Sequence, residues 1–161
     1  LLNRDFEWEL MPLGLDQNVG TIVWSPLASG QLTGKYRRNK AAPSDARLAQ
    51  GGNPVLHASH DNERLYNIID VLDEVAEETG KTISQISLNW LLQRPTVSNI
   101  IIGARTEEQL KQNLDAVGWN LTLGQVKKLD KVSEILPSYP YWHQRQFPVL
   151  NTDPKLYASL K

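Results

Sequence analysis

The sequence predicts an α/β fold with a parallel sheet, on three observations. Two short apolar runs, Thr21-Ile22-Val23-Trp24 and Val97-Ser-Asn-Ile-Ile-Ile102, are rich in β-branched residues and read as buried parallel strands. Helical patterns lie between and after them, and strands that alternate with helices build parallel sheets. Each run stops abruptly, at Ser25-Pro26 and at Gly103; proline lacks the amide that a continuing ladder needs.

Taken in order, Phe6, Leu10, Leu13 and Leu15 among acidic and amide residues predict a short helix within 6–17, despite Pro12 and Gly14. The first strand follows at 20–24. Residues 28–60 show no convincing periodicity and contain Gly30, Gly34, Pro43, Gly51, Gly52 and Pro54, and a loop of that length inside a domain is usually functional or partly mobile. Leu65, Ile68, Ile69, Leu72, Val75 and Ala76 form one apolar stripe on a helix that Gly80 ends. Thr82-Ile-Ser-Gln85 is a capping box that opens a helix over Ile83 to Gln93. That helix is apolar on more than one side, so burial is expected, and Pro95 closes it. After the second strand, Thr106-Glu-Glu-Gln109 and Thr122-Leu-Gly-Gln125 read as two more capping boxes. The latter starts a helix bearing Val126, Leu129, Val132 and Ile135. From Pro137 the chain is rich in proline and aromatics (Tyr139, Tyr141, Trp142, Phe147) and reads as an extended arm. The expected organisation is thus a domain over 1–136 and a tail over 137–161.

Two parallel strands leave their edges open and bury too little area to offset chain entropy. The remaining strands are expected from elsewhere. The chain opens Leu1-Leu2-Asn3 with no initiator methionine and no signal-peptide pattern, and reads as a piece of something longer.

Composition narrows the function. A net charge of −1 argues against nucleic acid as the main partner, because such proteins usually carry a basic stripe. No run approaches the ~20 apolar residues of a membrane-spanning helix. The absence of cysteine excludes disulfides, thiolate catalysis and cysteine zinc sites, and fits a cytoplasmic protein.

Chemistry concentrates after the two strands. The first strand runs into Ser25-Pro-Leu-Ala-Ser-Gly-Gln-Leu-Thr-Gly-Lys35-Tyr36: small residues, two glycines and a lysine. A backbone that must approach a phosphate closely, with a cation to neutralise it, needs such residues. It is no P-loop, since three residues rather than four separate Gly30 from Gly34, and Tyr36 stands where a magnesium-binding hydroxyl belongs. The second strand runs through Gly103-Ala-Arg105 into a capped helix, which would turn free amides and a positive dipole end toward a ligand. Arg105 is placed to clamp a phosphate, and Gln109, Gln112 and Asn113 recur on one helical face suited to an adenine or ribose. Taken singly, the segments also read as a Gly/Pro-rich turn with a surface lysine and as a capped surface helix with a solvated arginine.

Together they are more specific. The series Trp24-Ser-Pro-Leu-Ala-Ser-Gly-Gln-Leu-Thr-Gly-Lys35-Tyr36, Ser87-Leu-Asn-Trp90-Leu-Leu and Ile102-Gly-Ala-Arg105-Thr-Glu-Glu-Gln109-Leu-Lys-Gln-Asn113 closely resembles the C-terminal half of an aldo-keto reductase, over residues 1 to about 140. The resemblance implies the C-terminal part of a (β/α)8 TIM barrel, with strands seven and eight and their helices. It also implies NADP(H) as cofactor and hydride transfer to an aldehyde or ketone, a small-molecule carbonyl substrate. Ser25, Leu27, Ser29, Gly30 and Lys35 would then hold the diphosphate and the neighbouring ribose, with Trp24 and Pro26 among the further cofactor-binding residues. Arg105, beside Gly103, would engage the 2′-phosphate, and Gln109, Gln112 and Asn113 would face the adenosine. Arg47 in the long loop is a weaker match for a further cofactor contact.

The family's catalytic tyrosine, lysine, aspartate and histidine would lie in an N-terminal half of the same barrel, so no catalytic residue is assigned and the chain alone is expected to be inactive. Lys35-Tyr36 match the cofactor motif. His57, His60 and His143 lack a paired carboxylate or metal-ligand spacing, so no metal site is expected. Two rival readings stand beside the enzyme: a non-catalytic nucleotide-sensing subunit of the same fold, and an inactive truncated product. No nucleic-acid or membrane partner is expected.

Overall fold

The computed structural model describes residues 1–41, 43–44 and 62–146. Arg47, His57, His60, Phe147 and the end of the tail lie outside the described residues. The order of elements is a 3-10 turn at Asp5–Glu7, α1 (Leu10–Gln17), β1 (Thr21–Val23), 3-10 turns over Ala28–Thr33, α2 (Asn62–Thr79), α3 (Ile83–Leu92), β2 (Val97–Ile100), α4 (Glu107–Leu114), α5 (Leu123–Val132) and α6 (Tyr141–Gln146).

The two strands pair in parallel, as the alternation of elements requires, with Thr21 opposite Val97 and Val23 opposite Ile100, and an irregularity between Thr21 and Ile22. They are not buried. Ile22 is 63% exposed, Trp24 66% and Ile101 54%, because among the described residues only one face of the pair is backed by helices and no third strand adjoins it. Apolar composition identified the strands correctly but overstated their cover.

The core lies among helices instead. Leu65, Ile68, Ile69, Leu72 and Val75 of α2 pack with Ile86 and Trp90 of α3 and Leu129 of α5, joined by Leu1, Leu2, Leu32 and Leu121. Ile68, Leu72, Val75, Ile86 and Leu129 are wholly buried, each gaining roughly 1.5–3 kcal/mol from leaving water. The stripe on α2 faces inward as its spacing requires, and Gly80 ends the helix at φ +65, donating to the Ala76 carbonyl at 2.8 Å. Thr82 and Gln85 form the full reciprocal cap of α3, and Thr122 and Gln125 that of α5.

Polar ties fix the helices to one another. The Trp90 indole donates to Asp130 at 3.0 Å, and the guanidinium groups of Arg94 and Arg4 lie 4.4 and 5.2 Å from its ring centre. Arg94 also donates to Asp130 at 3.1 Å. The planar cations lie over the ring of a buried aromatic and bind the start of the chain to α3 and α5.

Two expectations are corrected. The short helix expected within 6–17 starts only at Leu10, after a 3-10 turn at Asp5–Glu7; in it Met11 and Gly14 are buried, while Leu10 and Leu13 are each 54% exposed. A Cβ on Gly14 would stand 2.9 Å from the Val19 carbonyl oxygen and 3.1 Å from Thr96, so the chain passes close at this glycine. The tail is not an extended arm over its described part. Pro140 precedes the short helix α6, where the Tyr141 hydroxyl donates to Glu9 at 3.1 Å and the Tyr141 ring lies 5.8 Å from Trp8. Among the described residues no helix is long and apolar enough to cross a membrane.

Candidate functional site

A parallel pair sends both strands' C-terminal ends the same way, so the loops after β1 and β2 emerge side by side. They enclose a cavity of about 790 Å³. Of the residues singled out from the sequence, Trp24, Ser25, Pro26, Leu27, Ser29, Gly30 and Lys35 line it from the first loop. Gly103, Arg105, Gln109, Gln112 and Asn113 line it from the second. Arg47 lies outside the described residues.

The first wall is a strained backbone. Ser25, Ala28 and Ser29 have φ of 54, 48 and 56, beside Gly30 at 91 and Gly34 at 77. Left-handed geometry at non-glycine residues costs on the order of 1–2 kcal/mol each and concentrates where a loop must present its groups in one arrangement. Local bonds hold it: the Ala28 amide donates to the Ser25 carbonyl at 2.9 Å, Gly30 to Leu27 at 2.9 Å, and the Thr33 hydroxyl to the Gly30 carbonyl at 2.6 Å. Small residues were expected there for close approach; that serine and alanine would also take left-handed φ has no signature in their identity.

The second wall differs from expectation in its amides. Thr106 caps α4 by accepting from the Gln109 amide at 3.2 Å, but the reciprocal half of the box is missing. The Gln109 side-chain oxygen reaches one residue further and accepts from the Arg105 amide at 3.0 Å. The Glu108 carboxyl is held below the usual carboxylate range by its own backbone N–H and by the Thr106 hydroxyl. The amides of Arg105 and Gln109 are therefore engaged by the protein, because Gln109 and Thr106 close over the helix start. Arg105, Gln112 and Asn113 complete this wall. Asn113 donates to the Gly103 carbonyl at 3.5 Å and ties helix to strand end.

Thr33, Tyr36, Ser84 and Ala104 also line the cavity and were not singled out for it. Ser84 had a signal: a helix that leads back into a parallel strand runs antiparallel to it, so its first turn lies at the strands' C-terminal edge. Tyr36 brings a buried hydroxyl that has no hydrogen-bond partner among the described residues. A Cβ on Gly103 or Gly30 would meet nothing within 4 Å, so packing within the chain does not demand glycine at either place. Two cations, several hydroxyls and amide side chains, and room at both glycines suit a polyanionic ligand with polar rings.

The model of the aldo/keto reductase family matches residues 1–134. The chain belongs to that family. Its fold is a (β/α)8 barrel, with which the parallel strands and alternating helices of this chain agree. A probable voltage-gated potassium channel subunit beta of Arabidopsis thaliana is 36% identical over 134 residues, covering 83% of this chain and 40% of the relative. A putative voltage-gated potassium channel subunit beta of Schizosaccharomyces pombe is 38% identical over 141 residues, covering 84% of this chain and 40% of the relative. L-glyceraldehyde 3-phosphate reductase of Escherichia coli K12 is 36% identical over 137 residues, with 83% and 38% covered. The chain spans about two fifths of the length of these relatives.

Proposed function

We propose that this aldo/keto reductase family chain is the NADP(H)-binding, C-terminal part of a barrel oxidoreductase that reduces aldehydes or ketones, with β1 and β2 as the seventh and eighth strands. The support is the convergence of two successive strand ends on one cavity, with Lys35 on one wall and Arg105 on the other. Lys35, Ser25, Ser29 and the strained backbone between them hold the diphosphate and its ribose. Arg105 takes the 2′-phosphate, where a planar fork matches two oxygens at once. Gln109, Gln112 and Asn113 face the adenosine, and Trp24, two-thirds exposed at the cavity rim, offers a ring face to the rest of the ligand. When bound, NADPH supplies a hydride for a carbonyl carbon. The residues described here bind and orient; the proton donor belongs to the N-terminal half of the barrel, which is this chain's first partner. A cytoplasmic location is part of the same reading.

A second reading is favoured by two of the relatives, which carry the name of potassium channel β subunits. In it the same cavity binds the nucleotide in order to report redox state, within a larger assembly. The two readings share the cofactor site and part at the residues encoded ahead of Leu1, where an intact tyrosine, lysine, aspartate and histidine set marks the enzyme.

The cofactor assignment is tested by titrating the protein with NADPH and NADH and following tryptophan emission. Arg105→Ala is expected to weaken NADPH by ~1.5–3 kcal/mol, the loss of a hydrogen bond between charged groups, and to leave NADH nearly unchanged. Equal losses for both would remove the 2′-phosphate role.

A further inference from the structure

The six residues Lys35 to Lys40 carry four cations: Lys35, Arg37, Arg38 and Lys40. Beside an anion-suited cavity, composition alone would send all four to the ligand. The fold divides them. Lys35 lines the cavity, whereas Arg37 and Arg38 turn to the acidic face of α2. Arg37 is held from two sides. Its Nη2 donates to Asp73 Oδ1 at 2.9 Å and its Nη1 to Asp73 Oδ2, while its Nε donates back to the Gly34 carbonyl at 2.9 Å. Arg38 pairs with Glu63, donates to Asn67 at 3.0 Å, comes within 3.6 Å of Asp70 and lies over the Tyr66 ring at 5.4 Å.

One guanidinium thus closes a ring around Lys35 and Tyr36, from the carbonyl before them to a helix of the core. The turn is tight. Gly34 has φ +77, and a Cβ there would stand 2.7 Å from Ile83 Cδ1 and 3.1 Å from Arg37 Nη2. Such a turn, pinned at both ends, gives the intervening lysine a fixed starting point. A long flexible ammonium otherwise loses rotamer freedom on binding.

We propose that Arg37 and Asp73 are positioning residues. They act through Lys35, fixing the Gly34–Arg37 turn so that the ammonium is held where a diphosphate binds, and they keep a competing guanidinium out of the cavity. The inference rests on the dinucleotide reading given above. Because the diphosphate is common to both cofactors, the clasp serves NADPH and NADH alike, unlike Arg105.

The test is a set of dissociation constants for NADPH and NADH with the unaltered protein, Asp73→Asn, Arg37→Lys, Lys35→Ala and the Lys35→Ala/Asp73→Asn double variant. Asp73→Asn is expected to weaken both dinucleotides about three- to fivefold, or roughly 0.6–1 kcal/mol. That is the range of a pair whose side chains are about a third exposed. Arg37→Lys should resemble it, since one ammonium cannot hold carboxylate and carbonyl in a fixed fork. With Lys35→Ala already present, Asp73→Asn should add nothing, whereas a merely structural role would add its full loss. Unchanged binding in Asp73→Asn, or additive losses in the double variant, overturns the clasp. If the unaltered protein binds neither dinucleotide, the cofactor reading has failed and the clasp falls with it; in the first case the unaltered protein binds and only the variants disagree.

Discussion

Asn89 anchors the segment that follows the second cavity wall without touching the cavity. It lies in α3, 2% exposed, and three backbone groups of the segment between α4 and α5 close on it. Its Nδ2 donates to the carbonyls of Ala116 at 3.0 Å and Trp119 at 2.8 Å, and its Oδ1 accepts from the Leu121 amide at 3.1 Å. Ala116 and Leu121 are themselves buried, whereas Trp119 is partly open. Asn89→Ala leaves those groups unsatisfied, and each buried one costs about 1–3 kcal/mol. Counting Ala116 and Leu121 in full and letting water reach Trp119 gives a loss of about 4 kcal/mol, a large share of the ~5–15 kcal/mol typical of a domain. Urea unfolding followed by circular dichroism is the assay. With a slope of ~1–3 kcal/mol per molar, the midpoint should fall by roughly 2 M. Asn89→Asp should be no milder, since a carboxylate would face two carbonyl oxygens that need donors. A midpoint within about 0.5 M of the unaltered protein, corresponding to ~1 kcal/mol, would show that the segment rehydrates or repacks, and would refute the accounting.

Two further expectations concern the elements around the site. Gly14→Ala should destabilise by ~1–3 kcal/mol, as overpacking does, because the new methyl meets the Val19 carbonyl oxygen at 2.9 Å; an unchanged thermal midpoint would contradict that contact. The tie between α2 and α5 should titrate at both extremes of pH. Glu78 accepts from Lys128 at 2.5 Å and from Gln125 at 3.0 Å, and the Lys128 hydrogen bond holds its carboxyl below the usual range. Its contribution is present above the unfolded carboxyl pKa and is lost as pH falls through the lower folded value. Lys128 is shifted upward by the same bond, so its contribution is present below the ordinary lysine value and disappears as pH rises through the folded one. The stability difference between the unaltered protein and Glu78→Gln should therefore be largest near neutrality and shrink in acid; a difference constant with pH would exclude the pairing.

Much of this was legible from residue order because the signals were local. The α2 stripe, the αL glycine after it and the reciprocal caps of α3 and α5 are each settled within a turn or two of chain, and the structure has them as spaced. Both strands were visible as β-branched runs. Their exposure was not, because burial depends on what lies across the sheet rather than on the strand itself. The inward face of α1 was not legible either: Met11 and Gly14 are buried there, and Gly14 lies against Thr96, 82 positions away. For α6, Pro140 just ahead of Tyr141 was an available start signal, obscured by the surrounding prolines and aromatics. At the cavity, residue types pointed to both walls, but no spacing rule says that Gln109 reaches Arg105 instead of completing its box. Nor does any rule assign Arg37 to Asp73, 36 positions away, when an anion site lies next door.

Placing the core among α2, α3 and α5, and leaving the two strands partly exposed, separates what keeps the chain folded from the loops that line the cavity. Substitutions along the cavity rim can therefore be made without touching the helical keel that holds the rim in shape.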